Sequence, residues 1–449
     1  MNTSSLPVIV IGAGPVGLAA AAHLLQRDLE PLVLEAGPSV AANIRAWSHV
    51  HFFSPWRYCV DRAARDLLEP TGWNAPDDEG LPTGQELIDA YLRPLAKQLE
   101  RHIRYGAKVV RIARKGVDKV RSADRESLPF VVEIETAEGR TERLLARAVI
   151  DASGTWTHPN PIGANGLPAL GEAAAADRIA YGIPDVLGAE RRRYAGKRIL
   201  VVGRGHSAMN VVQDLVALRR DEPATEIFWA MRRMPDGNTF GGGGSDALAA
   251  RGALGSGAKS VVDGGEVRLL APFPVDEIRR APDGGLVVVA ENGETVEVEE
   301  IVGCTGFRPD LTATRELRLG LDPWLETTPI LAPMIDPYLH SCGSVRPHGA
   351  KELAHPEANF YIAGMKSYGR APTFLLLTGY EQVRSIAAAI AGDHEAASRV
   401  ELVLPETGVC STRRVSADVK SVATGGCCGS SKPRAVATPA VETVASCCK

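Results

Sequence analysis

One pattern occurs twice in this chain of 449 residues. An apolar strand runs into a glycine-rich turn, the turn opens a helix, and a second apolar strand follows. The first copy reads PVIVIGAGPVGLAAAAHLL and then PLVLEAG; the second reads KRILVVGRGHSAMNVVQDLVAL and then TEIFWAMRR. Continuous apolar runs are what strands buried on both faces look like. Each copy leads on to an alternating hairpin and a return strand. The first has FVVEIET, a turn at AEGR and LLARAVIDASG; the second has GLVVVA, a turn at Asn292-Gly293 and TVEVEEIVGCTG. Asn-Gly between alternating strands is a strong hairpin signal. The repetition predicts an α/β chain with two Rossmann-like dinucleotide-binding domains.

Composition narrows the class. Hydrophobic residues make up 45% and charged residues 23%, with a net charge of −4. No basic field of the kind a nucleic-acid binder needs is present, and fibres, membrane spans and wholesale disorder are excluded. The expectation is a cytoplasmic enzyme acting on small molecules, with no nucleic-acid or membrane partner. The apolar start is broken by Gly12, Gly14, Pro15 and Gly17, which suits a core strand, turn and helix better than a signal peptide. LPETG at 404–408 resembles a wall-sorting signal, but a polar tail follows it.

The glycines carry the first chemistry. Gly12 permits the tight turn, Gly14 lets the backbone approach a pyrophosphate, and Gly17 lets the helix pack closely on the strand. Pro15 opens a helix whose unpaired N–H groups and dipole attract anions. Glu35, eighteen positions beyond Gly17, closes the next strand ahead of Ala36. Its carboxylate can take two ribose hydroxyls and would repel a 2′-phosphate, so this site suits the ADP half of FAD, or NAD.

The second turn is Gly203-Arg204-Gly205-His206-Ser207-Ala208, with alanine at the third glycine position. Its following strand, TEIFWAMRR, ends in Arg232 and Arg233 instead of an acid. Guanidinium groups there suit a 2′-phosphate, so this site prefers NADPH. An acid at one site and arginines at the other imply two different dinucleotides, with hydride passing between them.

After the second unit, a proline-rich stretch leads to ANFYIAGMKSYGRAPTFLLLTGYEQVRSIAAAIAG. It predicts a strand ending at Ala363 and a helix starting near Thr373, returning the chain to the first domain. From about Ser411 the text turns to Ser, Thr, Ala, Gly and Lys/Arg without aromatics, the signature of a flexible tail. The expected architecture is therefore an FAD-binding domain at 1–170 and 310–405, an inserted NADPH-binding domain at 190–305, and a thiol tail at 411–449.

The order of these motifs resembles the two-dinucleotide-domain flavoproteins, especially the flavin-containing and Baeyer–Villiger monooxygenases. DASGTWTHPNPIGANGLPAL (151–170) is similar to the family's linker ahead of the NADPH domain, and CTGFRPDL (304–311) to its return. IAYGIPDVLG, YAGKRILVVGRGHSA and SYGRAPTFLLLTGYEQ resemble bacterial flavoproteins of arsenic-resistance gene clusters. The resemblance implies FAD and NADPH as cofactors and adds Asp151, Gly154, Gly364 and Thr373 to the FAD shell. By analogy Arg45, Trp47, Ser54, Trp56 and Arg57 wall the flavin pocket. The family's Gly pair after the ribose acid is missing from AANIRAW (41–47), and Gly364-Met365 stands where many relatives have Gly-Asp.

Cysteine usage separates two chemistries. Flavoenzymes that reduce disulfides need two cysteines spaced to form a redox pair beside the flavin. No CxxC exists here; Cys59, Cys304 and Cys342 stand alone. The tail holds Cys427-Cys428 and Cys447-Cys448. Adjacent Cα atoms lie about 3.8 Å apart, shorter than the ~4.4–6.8 Å of a disulfide, so neither pair is shaped to close on itself. Neighbouring thiolates do suit a soft, thiophilic centre such as trivalent arsenic, antimony or mercury. The tail resembles the vicinal pair that ends the mercury-reducing flavoenzymes. Cys427 lies about 20 residues past the last confident element, a coil span of roughly 25 Å.

These readings converge on an FAD- and NADPH-dependent monooxygenase or oxidase. Its expected substrates are O2 and a small molecule, with a trivalent arsenical held by the tail pairs as the leading candidate. An organic N-, S- or carbonyl substrate, metal reduction and non-catalytic metalloid binding stand as alternatives.

Overall fold

A computed structural model describes residues 5–402 apart from 238, 242, 247, 338–344 and 373. Val8–Ile11 (β1) is almost wholly excluded from solvent and feeds the helix Pro15–Leu25, which opens on Pro15 and carries four successive alanines. Alanine has the highest helix propensity and proline suits the first turn, so the local sequence dictates the switch. Pro31–Leu34 (β2), Ile103–Arg104 (β3) and Ala148–Asp151 (β7) lie in one parallel sheet with β1. Between β3 and β7 the chain makes an antiparallel meander of Ala107–Arg114 (β4), Phe130–Thr136 (β5) and Thr141–Ala146 (β6).

The second unit repeats this plan. Ile179–Tyr181 (β8), Arg198–Val202 (β9), Glu226–Ala230 (β10), Arg268–Leu270 (β11) and Glu300–Gly303 (β15) form a parallel sheet. Val275–Arg280 (β12), Leu286–Ala290 (β13) and Thr295–Val298 (β14) form its meander. Phe360–Ile362 (β16) then returns to pair with β7. The sheet orders are β16-β7-β1-β2-β3 and β8-β15-β9-β10-β11, so each strand has a counterpart in the other sheet. The outer strand of the first sheet comes late in the chain, whereas that of the second comes early. That difference is what nesting the second unit inside the first requires.

Packing follows burial. The Pro15–Leu25 helix is buried from Val16 to Leu24 and lies against the helix Leu376–Ala391, with Val383, Ile386 and Ala387 in the same core. A buried leucine such as Leu18 contributes roughly 1.5–3 kcal/mol relative to exposure. The second core gathers Ile199, Val201, Val211, Leu215 and Trp229, where the helix His206–Asp221 meets its sheet and the helix Ala249–Asp263.

Several elements differ from the sequence expectations. β10 ends at Ala230, so Arg232 and Arg233 lie past the strand and not within it. The return helix begins at Leu376, after a short helical turn at Gly364–Tyr368. β4 and β12 give each hairpin a third strand; charged residues on their outer faces blur the alternation. Ile162, Ala169 and Ala175 pack in the core of the second unit, within and just past the stretch assigned by sequence to the first. Among the described residues no helix is long and apolar enough to cross a membrane.

Candidate dinucleotide sites and the seam between them

Both glycine turns adopt one backbone form. Gly14 has φ −84° and ψ −177°, Gly205 has φ −85° and ψ −179°, and each precedes the first residue of its helix. Gly12 (φ +98°) and Gly203 (φ +136°) occupy the conformation that side chains rarely adopt. A Cβ on Gly12 would sit 2.9 Å from the Ala152 carbonyl, and one on Gly203 2.3 Å from that of Cys304. The return strands therefore press on both turns and close the base of each cradle. In front of Gly14 and Gly205 there is open space, with nothing within 4 Å of where a Cβ would stand. The first N–H groups of a helix have no intrahelical partner, and such a helix start beside open space is suited to an anion.

The cradles diverge at the third glycine. A Cβ on Gly17 would fall 1.9 Å from the Gly12 carbonyl oxygen. Ala208 carries that methyl in the second cradle and is fully buried. They diverge again at the end of the second strand. Glu35 accepts bonds from Ala13 N and Gly37 N, both 2.7 Å, which fixes its carboxylate beside the turn. At the corresponding place Arg232 and Arg233 are exposed, and Arg232 donates one bond of 3.2 Å to the Ala164 carbonyl.

At the carboxyl end of the first sheet Asp151, Gly154 and Gly364 come together. Asp151 is 2% exposed and is engaged by the protein itself: Lys366 Nζ lies 2.7 Å from one oxygen, and Ser153 N and Oγ bond the other. Asp151 thus ties the end of β7 to Ser153 and Lys366 through both carboxylate oxygens. Gly154 (φ +73°) borders open space. Gly364 (φ +71°) abuts Val16 of the first motif, 3.3–3.4 Å from where its Cβ would be. Thr373 and the tail cysteines Cys427, Cys428, Cys447 and Cys448 lie outside the described residues.

The flavin-wall segment divides. Trp47 stands 6.3 Å from Trp156, which stacks on Phe307 at 4.7 Å. Phe53 meets the ring of His206 edge-on at 5.4 Å, joining this segment to the second glycine turn. Burial holds the His206 imidazole below its usual value; the nearby Arg251 adds to this and Asp246 opposes it. Trp56 is instead a core side chain, 7% exposed. Arg57 points outward to Glu79, and Arg45 is exposed with a bond to Ser39 Oγ. Ser54 contributes only its carbonyl, which accepts from the Cys59 thiol.

Both crossings between the units run side by side. Asn160 N donates to Gly306 O (2.8 Å) and Arg308 N to His158 O (2.9 Å), with Pro159 and Phe307 paired antiparallel. Asn160 Nδ2 donates to Thr305 O, and Thr305 Oγ1 donates back to Asn160 O. Trp156 and Phe307 therefore sit on the joint itself. Neither was singled out from sequence, although TWT follows the return-strand glycine directly.

Cys59 and Cys304 are the cysteines among the described residues, and both are buried free thiols. Burial pushes Cys59 up to about 12 and raises Cys304 further. Neither can supply a thiolate near neutral pH. Among the described residues no cluster of His, Cys, Asp and Glu forms a metal site.

Two dinucleotide cradles on nested parallel sheets define a two-dinucleotide flavoprotein oxidoreductase. Residues 9–328 match the pyridine nucleotide-disulphide oxidoreductase family, and the chain belongs to it. The fold is shared with bacillithiol disulfide reductase from Bacillus cereus (TM-score 0.64, 18% identity, 86% of this chain and 99% of that one). It is shared as well with a flavin-containing monooxygenase from Stenotrophomonas maltophilia (TM-score 0.51, 19% identity, 86% and 98%). In sequence the chain is similar to indole-3-pyruvate monooxygenase YUCCA6 of Arabidopsis thaliana, 27% identical over 209 residues. That match spans 46% of this chain and 44% of the relative, under half the length of either.

Proposed function

We propose that this flavoprotein is an NADPH-dependent monooxygenase, with FAD in the Gly12–Gly17 cradle and NADPH in the Gly203–Ala208 cradle. The observation that carries the reading is the contrast between the cradles, a fixed carboxylate at Glu35 against exposed arginines at 232 and 233, with no redox pair of thiols among the described residues. Glu35 suits ribose hydroxyls, and the arginines suit a 2′-phosphate. FAD and NADPH, when bound, would supply the two electrons with which O2 gives one oxygen atom to the substrate and one to water.

The chain's own residues do the rest. The helix starts at Pro15 and His206 hold the pyrophosphates, Gly14 and Gly205 admit them closely, and Trp47, Trp156 and Phe307 keep water from the seam. Exclusion of water is the main demand of this chemistry, so no acid–base triad is needed. Disulfide reduction, the activity in the bacillithiol enzyme's name, needs a redox pair, and the two described cysteines are single buried thiols.

For the substrate, the vicinal tail cysteines and the resemblance to flavoproteins of arsenic-resistance clusters support a trivalent arsenical oxidised to the pentavalent form. The test follows NADPH and O2 consumption with and without arsenite or methylarsenite, on the full chain and on protein ending before Cys427. One O2 per NADPH, stimulated by arsenical and weakened by the truncation, is the expected result. Turnover with a thiol disulfide in the absence of O2 would overturn the monooxygenase reading. Oxygen-coupled turnover indifferent to both arsenicals would overturn the substrate alone.

A further inference from the structure

Behind the first cradle lies a chain of buried polar groups that the proposed chemistry leaves unused. Gly364 N donates to Gln382 Oε1 at 2.8 Å. A backbone N–H can only donate, so this bond fixes which way the amide faces. Gln382 Nε2 then donates to Ser367 Oγ and meets His348 Nε2, each at 2.9 Å. Ser367 Oγ spends its own proton on the Gly364 carbonyl, 2.7 Å away. On the far side His348 Nδ1 lies 2.9 Å from the Arg346 carbonyl, which can only accept. The proton of His348 therefore sits on Nδ1, and Nε2 offers a lone pair to Gln382. Gln382 is 0% exposed and His348 2%, so bulk solvent does not reach either partner.

The chain ends on the cofactor cradle. Gly364 abuts Val16, and Gly379, on the same helix as Gln382, nests on Val16 as well, a Cβ there falling 2.7 Å from its Cγ2. Turn, helix and glycine motif share one contact.

We propose that Gln382 and His348 are positioning residues for FAD: neutral His348 orients Gln382, Gln382 holds Gly364 against Val16, and protonation of His348 unlocks the turn. A proton on Nε2 would face the Gln382 amide donor head-on, and the amide could relieve this only by turning and releasing Gly364 N. The inference rests on the assignment of FAD to the first cradle.

The surroundings favour the neutral ring. Burial lowers His348, opposed by the Arg346 carbonyl, Glu352 and Glu381. Glu352 accepts from Gly349 N, and Glu381 is paired with Arg384 at 2.7 Å. Lys366, from the turn, is turned to Asp151, and the ring of Tyr368 lies 5.7 Å away. FAD affinity is therefore full where His348 is neutral and falls as pH descends through its titration.

The experiment titrates FAD into the full-length apoprotein between pH 7.5 and 5, reading flavin fluorescence, with NADPH affinity and apoprotein melting alongside. Wild type is expected to weaken progressively as the pH falls, by at most about tenfold, the scale of one lost buried hydrogen bond. His348→Gln presents an amide oxygen near the Nε2 position and cannot take up the proton, so its affinity should stay flat with pH. Gln382→Met should weaken FAD about tenfold at both pH values with NADPH affinity unchanged. Equal pH slopes in wild type and His348→Gln, or undiminished FAD binding in Gln382→Met, would overturn the relay. Wild-type protein that binds NADPH and no FAD would overturn the cofactor assignment and the relay with it.

Discussion

The two cradles share a backbone and differ in their side chains. Gly14 and Gly205 agree within a few degrees in both dihedral angles, and the sheets behind them have matching strand orders. Yet one cradle ends in a carboxylate locked by two backbone N–H groups and the other in exposed guanidinium groups. On the proposed assignment, holding a pyrophosphate is work for the main chain, whereas choosing the nucleotide falls to one or two side chains past the next strand end. A second difference lies behind the cradles. Asp151 and Lys366 form a buried ion pair behind the first; in the second, strand register puts Gly303 at the place of Asp151, and the next residue, Cys304, donates its thiol to the Gly182 carbonyl at 3.3 Å.

The strongest test of that asymmetry removes the brace. Lys366→Met leaves Asp151 buried and unpaired, and a loss of about 3–5 kcal/mol is expected by urea or thermal unfolding. Adding Asp151→Asn should restore most of it. Cys304→Ala in the second unit should cost only about 1 kcal/mol. Equal costs would erase the distinction.

Next comes the third glycine. Gly17→Ala forces a methyl onto the Gly12 carbonyl, and about 1–3 kcal/mol of overpacking together with loss of bound flavin is expected. Ala208→Gly should retain NADPH binding and lose about 1 kcal/mol through helix propensity. The nucleotide choice is sharpened by replacing Arg232 and Arg233 with alanine. That change should weaken NADPH about 10- to 100-fold and leave NADH within about twofold, since charged hydrogen bonds contribute about 1.5–3 kcal/mol. Equal effects on the two nucleotides would remove the 2′-phosphate role.

The smallest effect at neutral pH is acid lability in the first unit. Burial lowers His355 to about 4, against the usual 6.5. Above pH 6.5 the ring is neutral both folded and unfolded, and stability is complete. Between 6.5 and 4 the unfolded chain gains a proton the folded one refuses, so stability falls and then levels off. Melting temperatures from pH 7 to 4 should show this, and His355→Gln should flatten part of the slope.

Both cradles were legible because they are local: a strand, a glycine turn and an acid or arginine pair lie within some forty residues. The meanders were two-thirds legible. FVVEIET and TVEV alternate and LVVVA is a plain apolar run, but β12 reads VDEIRR and hides among surface charges. What could not be read depends on long-range meeting. Nothing local reveals that Lys366, 215 positions later, pairs with the Asp151 carboxylate. Trp56 read as a pocket wall because an aromatic in a short segment does not disclose which side is core. The Gln382–His348 relay has no motif at all, since its partners come from three separate segments.

The side-by-side crossings have a mechanical meaning. A body tethered by one flexible strand can tumble about three axes. Here the two strands are cross-bonded from His158 to Arg308 and clamped by the Trp156–Phe307 stack. A ribbon of that kind twists far more readily than it bends sideways. Two connections tied in this way cannot shift independently, so a displacement of either crossing is carried to the other.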